Sequence, residues 1–163
     1  MSDQSYNTCY TLGHGEATWD QFADLLDRYG IQLVVDVRAL PFTLGPEGFR
    51  LVPWFDRDQL EARLQRRGIS YRWMGRELGP LMRDGRLDGV AREQDPEYRQ
   101  GVEELMELIH NYVVLILDRP PRWEGSHRHL VIAQTLLRHD IEVVHLSFDA
   151  PPVPAQIDLF HAI

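Results

Sequence analysis

The chain has 163 residues, 44% of them hydrophobic and 26% charged, with ten prolines and twelve glycines. A chain of this size buries roughly 68–70% of its unfolded surface, which predicts one soluble domain with a continuous core. The formal charge of −8 disfavours the broad basic footprint of a duplex-binding protein, so nucleic acid is not an expected partner.

Apolar runs alternate with helical patterns along the chain. "TCYTLGH" reads as a short strand. "TWDQFADLLDRYG" follows, with Thr18 and Gln21 spaced as a capping box, an apolar face at Phe22, Leu25, Leu26 and Tyr29, and Gly30 as its stop. "IQLVVDV" is a continuous β-branched run of the kind buried on both faces of a parallel sheet. The stretch "RALPFTLGPEGFRLVPWF" is too long and too rich in Pro, Gly and aromatics for an ordinary turn, which predicts a shaped functional loop. Asp56 opens a helix through Leu60 and Leu64 that stops at Gly68, and "ISYRWMG" is a third strand. "RELGPLMRDGRLDGVAREQDPE" reads as a second irregular segment. From Tyr98, the spacing of Val102, Leu105, Met106 and Ile109 predicts a helix. "YVVLILD" is the clearest strand; "HRHLVIAQTLLRH" is a helix burying Leu130, Ala133 and Leu137; "IEVVHLSF" is a fifth strand. The proline-rich tail "DAPPVPAQIDLFHAI" is expected to dock on the surface. This alternation predicts a single three-layer α/β domain over residues 1–163, with a mostly parallel sheet of about five strands and helices on both faces.

In an open parallel sheet, ligands bind outside the carboxyl ends of the strands. Those ends carry Gly13 and His14 after the first strand, Asp36 and Arg38 at the second, and Arg76 and Glu77 beyond the third. Asp118 and Arg119 follow the fourth, and Ser147 and Asp149 the fifth. Asp36 lies within an apolar run, where a carboxylate is costly unless paired or hydrogen-bonded, so it is a structural partner of Arg38 or of a backbone turn, or else an orienting partner or base. Ser126, His127 and Arg128 stand where a strand and a stiff Pro-Pro loop lead into a helix. A capping serine, free helix N–H groups and an arginine there make a small anion site. His129 and His139 are expected to face solvent from that helix. Trp54, Trp73 and Trp123 near these loops suit stacking on a base or sugar, or core packing.

Some chemistry is excluded outright. The sequence contains no lysine, so a Schiff base, a P-loop lysine and a lysine base are ruled out. One cysteine, Cys9, excludes an internal disulfide and a cysteine-built zinc site, and its strand context predicts a buried thiol. No histidine pair has a strong zinc spacing, and "GRELG" and "LGPEG" lack the context of a nucleotide fingerprint, so neither metal nor cofactor is expected. No apolar stretch nears the ~20 residues that span a bilayer. The start "MSDQSYN" lacks the pattern of a signal peptide, which makes cytoplasm the expected compartment, without a membrane partner.

"TLGHG", "LVVDVRALP", "GISYRWMGRELG" and "SHRHLVIAQTLLRHDIEVVHL" resemble, in that order, the signature blocks of the domain-of-unknown-function 488 family, small α/β proteins found mainly in bacteria and archaea. The resemblance runs from about Tyr10 to Leu146. It implies that Gly13, His14, Asp36, Arg38, Glu77, Leu78, Gly79, His127 and Arg128 share a site, and it implies no reaction. Family members usually carry cysteines where this chain has Leu117 and Ser126; Gly15 replaces a serine, and Pro80 a glycine. Thiol-dependent chemistry is therefore not expected here.

These residues lead to an uncharacterised family member that binds a small phosphate- or nucleotide-like anion at the carboxyl edge of the sheet. Arg38, Arg128 and the helix start at His127 would hold the anion, with Gly13, Gly79, Asp118, Arg119 and Ser126 around it. His14 or His127, oriented by Asp36 or Glu77, would support hydrolysis. On this reading His14, Asp36, Arg38 and Arg128 line one cavity, and replacing Arg128 by Met weakens anion binding with little change in folding. The alternative is a non-catalytic ligand-binding or protein-interaction module whose cysteine chemistry has lapsed. A rhodanese-like sulfurtransferase, suggested by "VVDVRALP", needs an activated thiolate at a loop, and Cys9 is elsewhere. The oligomeric state is left open.

Overall fold

A computed structural model describes residues 6–42 and 51–159. Its centre is a six-stranded sheet built from β1 (Thr8–Gly13), β2 (Leu33–Asp36), β3 (Ser70–Trp73), β6 (Val114–Asp118), β7 (Glu142–His145) and β8 (Val153–Pro154), in the order β3-β2-β6-β1-β7-β8. The first five named strands pair in parallel, and the two-residue β8 runs antiparallel at one edge. This is the expected α/β architecture, with β8 added by the tail.

Side-chain alternation sends successive residues to opposite faces. Cys9, Leu33, Val35, Val114 and Ile116 pack with Tyr98, Val102, Leu105, Ile132 and Leu136 on one side. Leu12, Val34, Leu115 and Leu117 pack with Phe22, Leu26, Leu60 and Leu64 on the other. The second group belongs to α1 (Trp19–Arg28) and α2 (Arg57–Arg66). The first belongs to α5 (Pro96–Asn111) and the last helix, whose first turns are π-helical (Arg128–Ala133) before α6 (Gln134–Arg138). Cys9 is fully buried and its thiol is pushed well up by burial, so it is inert packing.

Local sequence explains the ends. Thr18 and Gln21 form both bonds of the capping box. Gly30 and Gly68 adopt φ of +62° and +72°, the left-handed region in which glycine has no Cβ penalty. The segment read as irregular is instead ordered: α3 (Gly75–Leu78), a hairpin of β4 (Met82–Arg83) and β5 (Arg86–Leu87), then α4 (Gly89–Gln94). Its turn is Asp84-Gly85 with φ of +52° and +76°, the Asp-Gly signal of a tight hairpin. Asp88 caps α4 by accepting from the Ala91 N–H, and Asp95 caps α5 through Glu97 N–H ahead of Pro96. The long loop after β2 falls partly on residues 43–50, outside the described residues. Its far end is a 3₁₀ turn (Pro53–Phe55) that buries Phe55.

No helix among the described residues is long and apolar enough to cross a membrane.

Candidate functional site

Gly13 at the end of β1 and Asp118 at the end of β6 are register partners. From there β1 continues toward α1 on one face, whereas β6 continues toward the last helix on the other. Such a divergence opens a crevice at the carboxyl edge of the sheet. A cleft of about 820 Å³ lies there, walled by Gly13–Ala17, by Arg119–Pro121 and by Ser147–Asp149, with Leu51 and Val52 beside them. Gly13 is required by a close approach: a Cβ there would lie 1.6 Å from the Pro120 carbonyl oxygen.

His14 is the buried polar group of this wall, 1% exposed and stacked on Phe55 at 4.5 Å. Its Nδ1 lies 2.8 Å from the Gly15 carbonyl, which can only accept, so that nitrogen carries the proton. Nε2 then accepts from Arg38 Nη1 at 3.2 Å. Burial, aided by the Arg38 charge, pushes His14 down to about 4. The ring is therefore neutral at pH 7, with its basic lone pair already engaged.

Arg38 is held on every side. Its Nε and Nη2 donate to the two Asp36 oxygens at 2.8 and 2.7 Å, and Nη2 also donates to the Phe55 carbonyl at 2.7 Å. Asp36 further accepts from the Tyr71 hydroxyl at 2.5 Å and from the Arg38 N–H at 3.1 Å. Burial opposes the Arg38 charge, and Asp36 outweighs it, leaving Arg38 raised. Trp73 Nε1 donates to the Arg38 carbonyl, and Gly75 packs so closely on that carbonyl that a Cβ would sit at 2.0 Å. The Asp-Val-Arg and Gly-Arg-Glu-Leu-Gly blocks are thus one interlocked unit.

A second unit lies behind the Pro-Pro wall. Asp118 Oδ1 accepts from the Arg119 N–H at 2.8 Å, and Oδ2 faces His127 Nδ1 at 3.4 Å and Arg128 Nη1 at 3.6 Å. Burial would raise the Asp118 carboxyl, but His127, Arg128 and the Arg119 amide together hold it below the usual range. Arg128, 0% exposed, donates to the Pro120 carbonyl at 2.6 Å and to that of Pro121 at 3.3 Å. His127 Nε2 and Arg128 Nε are buried without a hydrogen-bond partner among the described residues.

The expected residues therefore separate. Of His14, Asp36, Arg38 and Arg128, only His14 lines this cleft, together with Gly13 and Arg119; the other three stand behind its walls. Arg128 grips the Pro-Pro loop rather than an open anion site, so its replacement is not neutral to folding. Ser126 does not cap the helix with its side chain: Oγ donates to the Trp123 carbonyl at 2.8 Å, while its own carbonyl accepts from the His129 and Leu130 N–H groups. Glu77 sits on α3 against Gly101 of α5, away from the cleft. The Gly79 carbonyl accepts from the buried Arg92, which also holds the Arg76 carbonyl. His139 is exposed as expected, but His129 is buried. Trp54 and Trp73 donate to the carbonyls of Ala17 and Arg38, and Trp123 stacks on His145. The cleft residues underweighted by the sequence reading are Glu16, Gln21 and Phe148, which lie just beyond strand ends or in the first helical turn. Among the described residues, no group of three or more His, Cys, Asp or Glu is arranged to hold a metal ion.

The neutral state of His14 gives an acid-sensitive fold. Its folded value lies near 4 against an ordinary 6.5, so between those values the unfolded chain binds more protons. Stability is thus retained above about pH 6.5 and lost as the pH falls toward 4, by about 3 kcal/mol from this group. Urea unfolding across that range, with His14→Gln showing a flatter profile, checks this; identical slopes in both proteins would place the acid sensitivity elsewhere.

Parallel strands diverging at β1/β6, a Gly-His turn, and an Asp-x-Arg unit locked to a Gly-Arg-Glu-Leu-Gly turn define a small α/β protein with its cleft at the sheet edge. The chain belongs to the family described as domain of unknown function DUF488, whose model matches residues 18–135. Comparison with curated proteins and with solved structures gave no match.

Proposed function

We propose that the protein binds a small organic anion in the cleft at the carboxyl edge of the sheet, with Arg119 holding the negative charge. The observation that carries this is the Arg119 side chain, exposed at the cleft wall with no hydrogen-bond or ion-pair partner among the described residues. Arg38 donates to Asp36 and the Phe55 carbonyl, and the fully buried Arg128 gives its Nη groups to the Pro120 and Pro121 carbonyls, so both belong to the frame. The volume, about 820 Å³, lies in the usual small-molecule range of roughly 300–1,000 Å³. Glu16 and Asp149 share the walls, which disfavours a polyanion and favours a body that donates hydrogen bonds. Val52, Pro121 and Phe148 supply apolar surface. A nucleoside monophosphate fits this better than a triphosphate. Calorimetric titration with phosphate, nucleoside monophosphates and triphosphates tests it. Arg119→Met is expected to weaken monophosphate binding on the order of tenfold to a hundredfold, since hydrogen bonds to charged groups contribute roughly 1.5–3 kcal/mol. Equal affinity in both proteins, or no binding across the series, overturns the reading.

Hydrolysis is a second reading, favoured by Asp118 and His127. His127 turns Nδ1 to the Asp118 carboxylate, as an oriented general base does. Its Nε2 is buried behind the Pro-Pro wall rather than on the cleft, so this reading requires that wall to part over the bound ligand. His14 is not available for that role while its lone pair accepts from Arg38. Phosphate release from the bound monophosphate, lost in His127→Gln with affinity retained, supports it; binding without turnover in the wild type leaves binding alone.

A further inference from the structure

The three main walls of the cleft stand in a fixed order. β1 lies between β6 and β7 in the sheet, so the Gly13–Ala17 turn stands between Arg119 on one side and Ser147–Asp149 on the other. Register keeps the walls level: Gly13 pairs with Asp118, Thr11 pairs with His145, and the Leu146 N–H donates to the Thr11 carbonyl at 2.8 Å. Adjacent strands are about 4.8 Å apart, so the backbones carrying Arg119 and Asp149 leave the sheet roughly 10 Å from each other. A span of that size suits a nucleoside monophosphate laid across the cleft, with its phosphate at one end and the outer edge of its base at the other.

The chemistry changes along that span. Among the described residues lining the cleft, Arg119 is the one arginine, at the β6 end. Asp149 is exposed at the β7 end and follows Phe148, a half-buried ring packed on the core behind it. Ser147 ties the turn that presents them, its Oγ donating to the Ala150 carbonyl at 3.3 Å. The Asp149 carboxylate has no hydrogen-bond or ion-pair partner among the described residues. An ionised carboxylate only accepts, and its two oxygens lie side by side. Bases are read on their Watson–Crick edge, and guanine is the one that offers two adjacent donors there, N1–H and the 2-amino group. Adenine and cytosine set one amino donor beside an acceptor, and uracil sets a single N–H between two carbonyls.

We infer, resting on the monophosphate reading above, that the cleft selects a guanine nucleotide, with Asp149 as the residue that determines the base. The phosphate lies on Arg119 and the base lies against Phe148. N1–H and the 2-amino group donate to the two Asp149 oxygens. Glu16 stands on the middle wall, at the level of the sugar, where a carboxylate can accept from the ribose hydroxyls. The order of the strands and the order of the ligand's parts then agree: cation and phosphate at β6, acceptor and sugar at β1, acceptor pair and base at β7.

Calorimetric titration of the full chain with guanosine, inosine, adenosine and cytidine monophosphates tests the assignment. The inosine compound differs from the guanosine one only by lacking the 2-amino group. Guanosine monophosphate is expected to bind on the order of tenfold to a hundredfold more tightly than inosine monophosphate, the effect of one hydrogen bond to a charged group. The adenosine and cytidine compounds, which turn an acceptor toward the carboxylate, are expected to bind no better than inosine monophosphate. Asp149→Asn changes an exposed side chain and should bring the guanosine-to-inosine ratio close to unity. Arg119→Met should weaken both ligands alike and keep the ratio. Equal affinity for the two, tighter binding of another base, or a ratio unchanged in Asp149→Asn overturns the base assignment while the monophosphate reading stands. No binding of any monophosphate overturns both.

Discussion

Replacing Arg38 by Met is expected to destabilise the fold by about 3–5 kcal/mol, the usual cost of removing one partner from a buried ion pair. Asp36 is 0% exposed and would keep only the Tyr71 hydroxyl and a backbone N–H for its two oxygens. The loss would also free the His14 Nε2 and the Phe55 carbonyl, which Arg38 now satisfies. Chemical denaturation followed by far-UV circular dichroism measures it. Asp36→Leu combined with Arg38→Met should recover part of the loss, because no buried charge is then left unpaired. A loss below about 1 kcal/mol in the single variant would mean that the pair is solvated in solution.

Gly13→Ala is expected to have a comparable effect through a different cause. The new methyl would meet the Pro120 carbonyl oxygen at 1.6 Å, a backbone atom that no rotamer change can move. The β1 turn and the Pro-Pro loop must part, and the loop is anchored from behind by Arg128. The cost should reach or exceed the upper end of the ~1–3 kcal/mol typical of overpacking. For a chain of this size each kcal/mol lowers Tm by roughly 2–4 °C, so a calorimetric scan shows it plainly. A variant as stable as the wild type would mean that this approach relaxes without strain.

The layer architecture was legible in the sequence because local signals suffice for it. Buried β-branched runs, the Thr18/Gln21 capping box and the Gly30 and Gly68 stops depend on neighbours a few residues away. The edge of the sheet that carries the polar residues was legible for the same reason, since parallel strands must align their carboxyl ends. The Asp84-Gly85 hairpin was also present as a short-range signal, obscured by the polar composition around it.

What only the tertiary structure decided is which of those edge residues face the cleft. Arg38, Arg119 and Arg128 are the same chemical group at similar positions, yet two are consumed by acceptors supplied from elsewhere. The Phe55 carbonyl lies 17 residues from Arg38, and the carbonyls of Pro120 and Pro121 face Arg128 across the loop. His129 likewise reads as a surface residue on its own helix. It is buried because His145, Asp158 and Trp123 arrive from three other segments to satisfy and cover it. Periodicity records which side of an element turns inward, whereas a polar side chain's duty depends on partners that only chain crossing brings within about 3 Å.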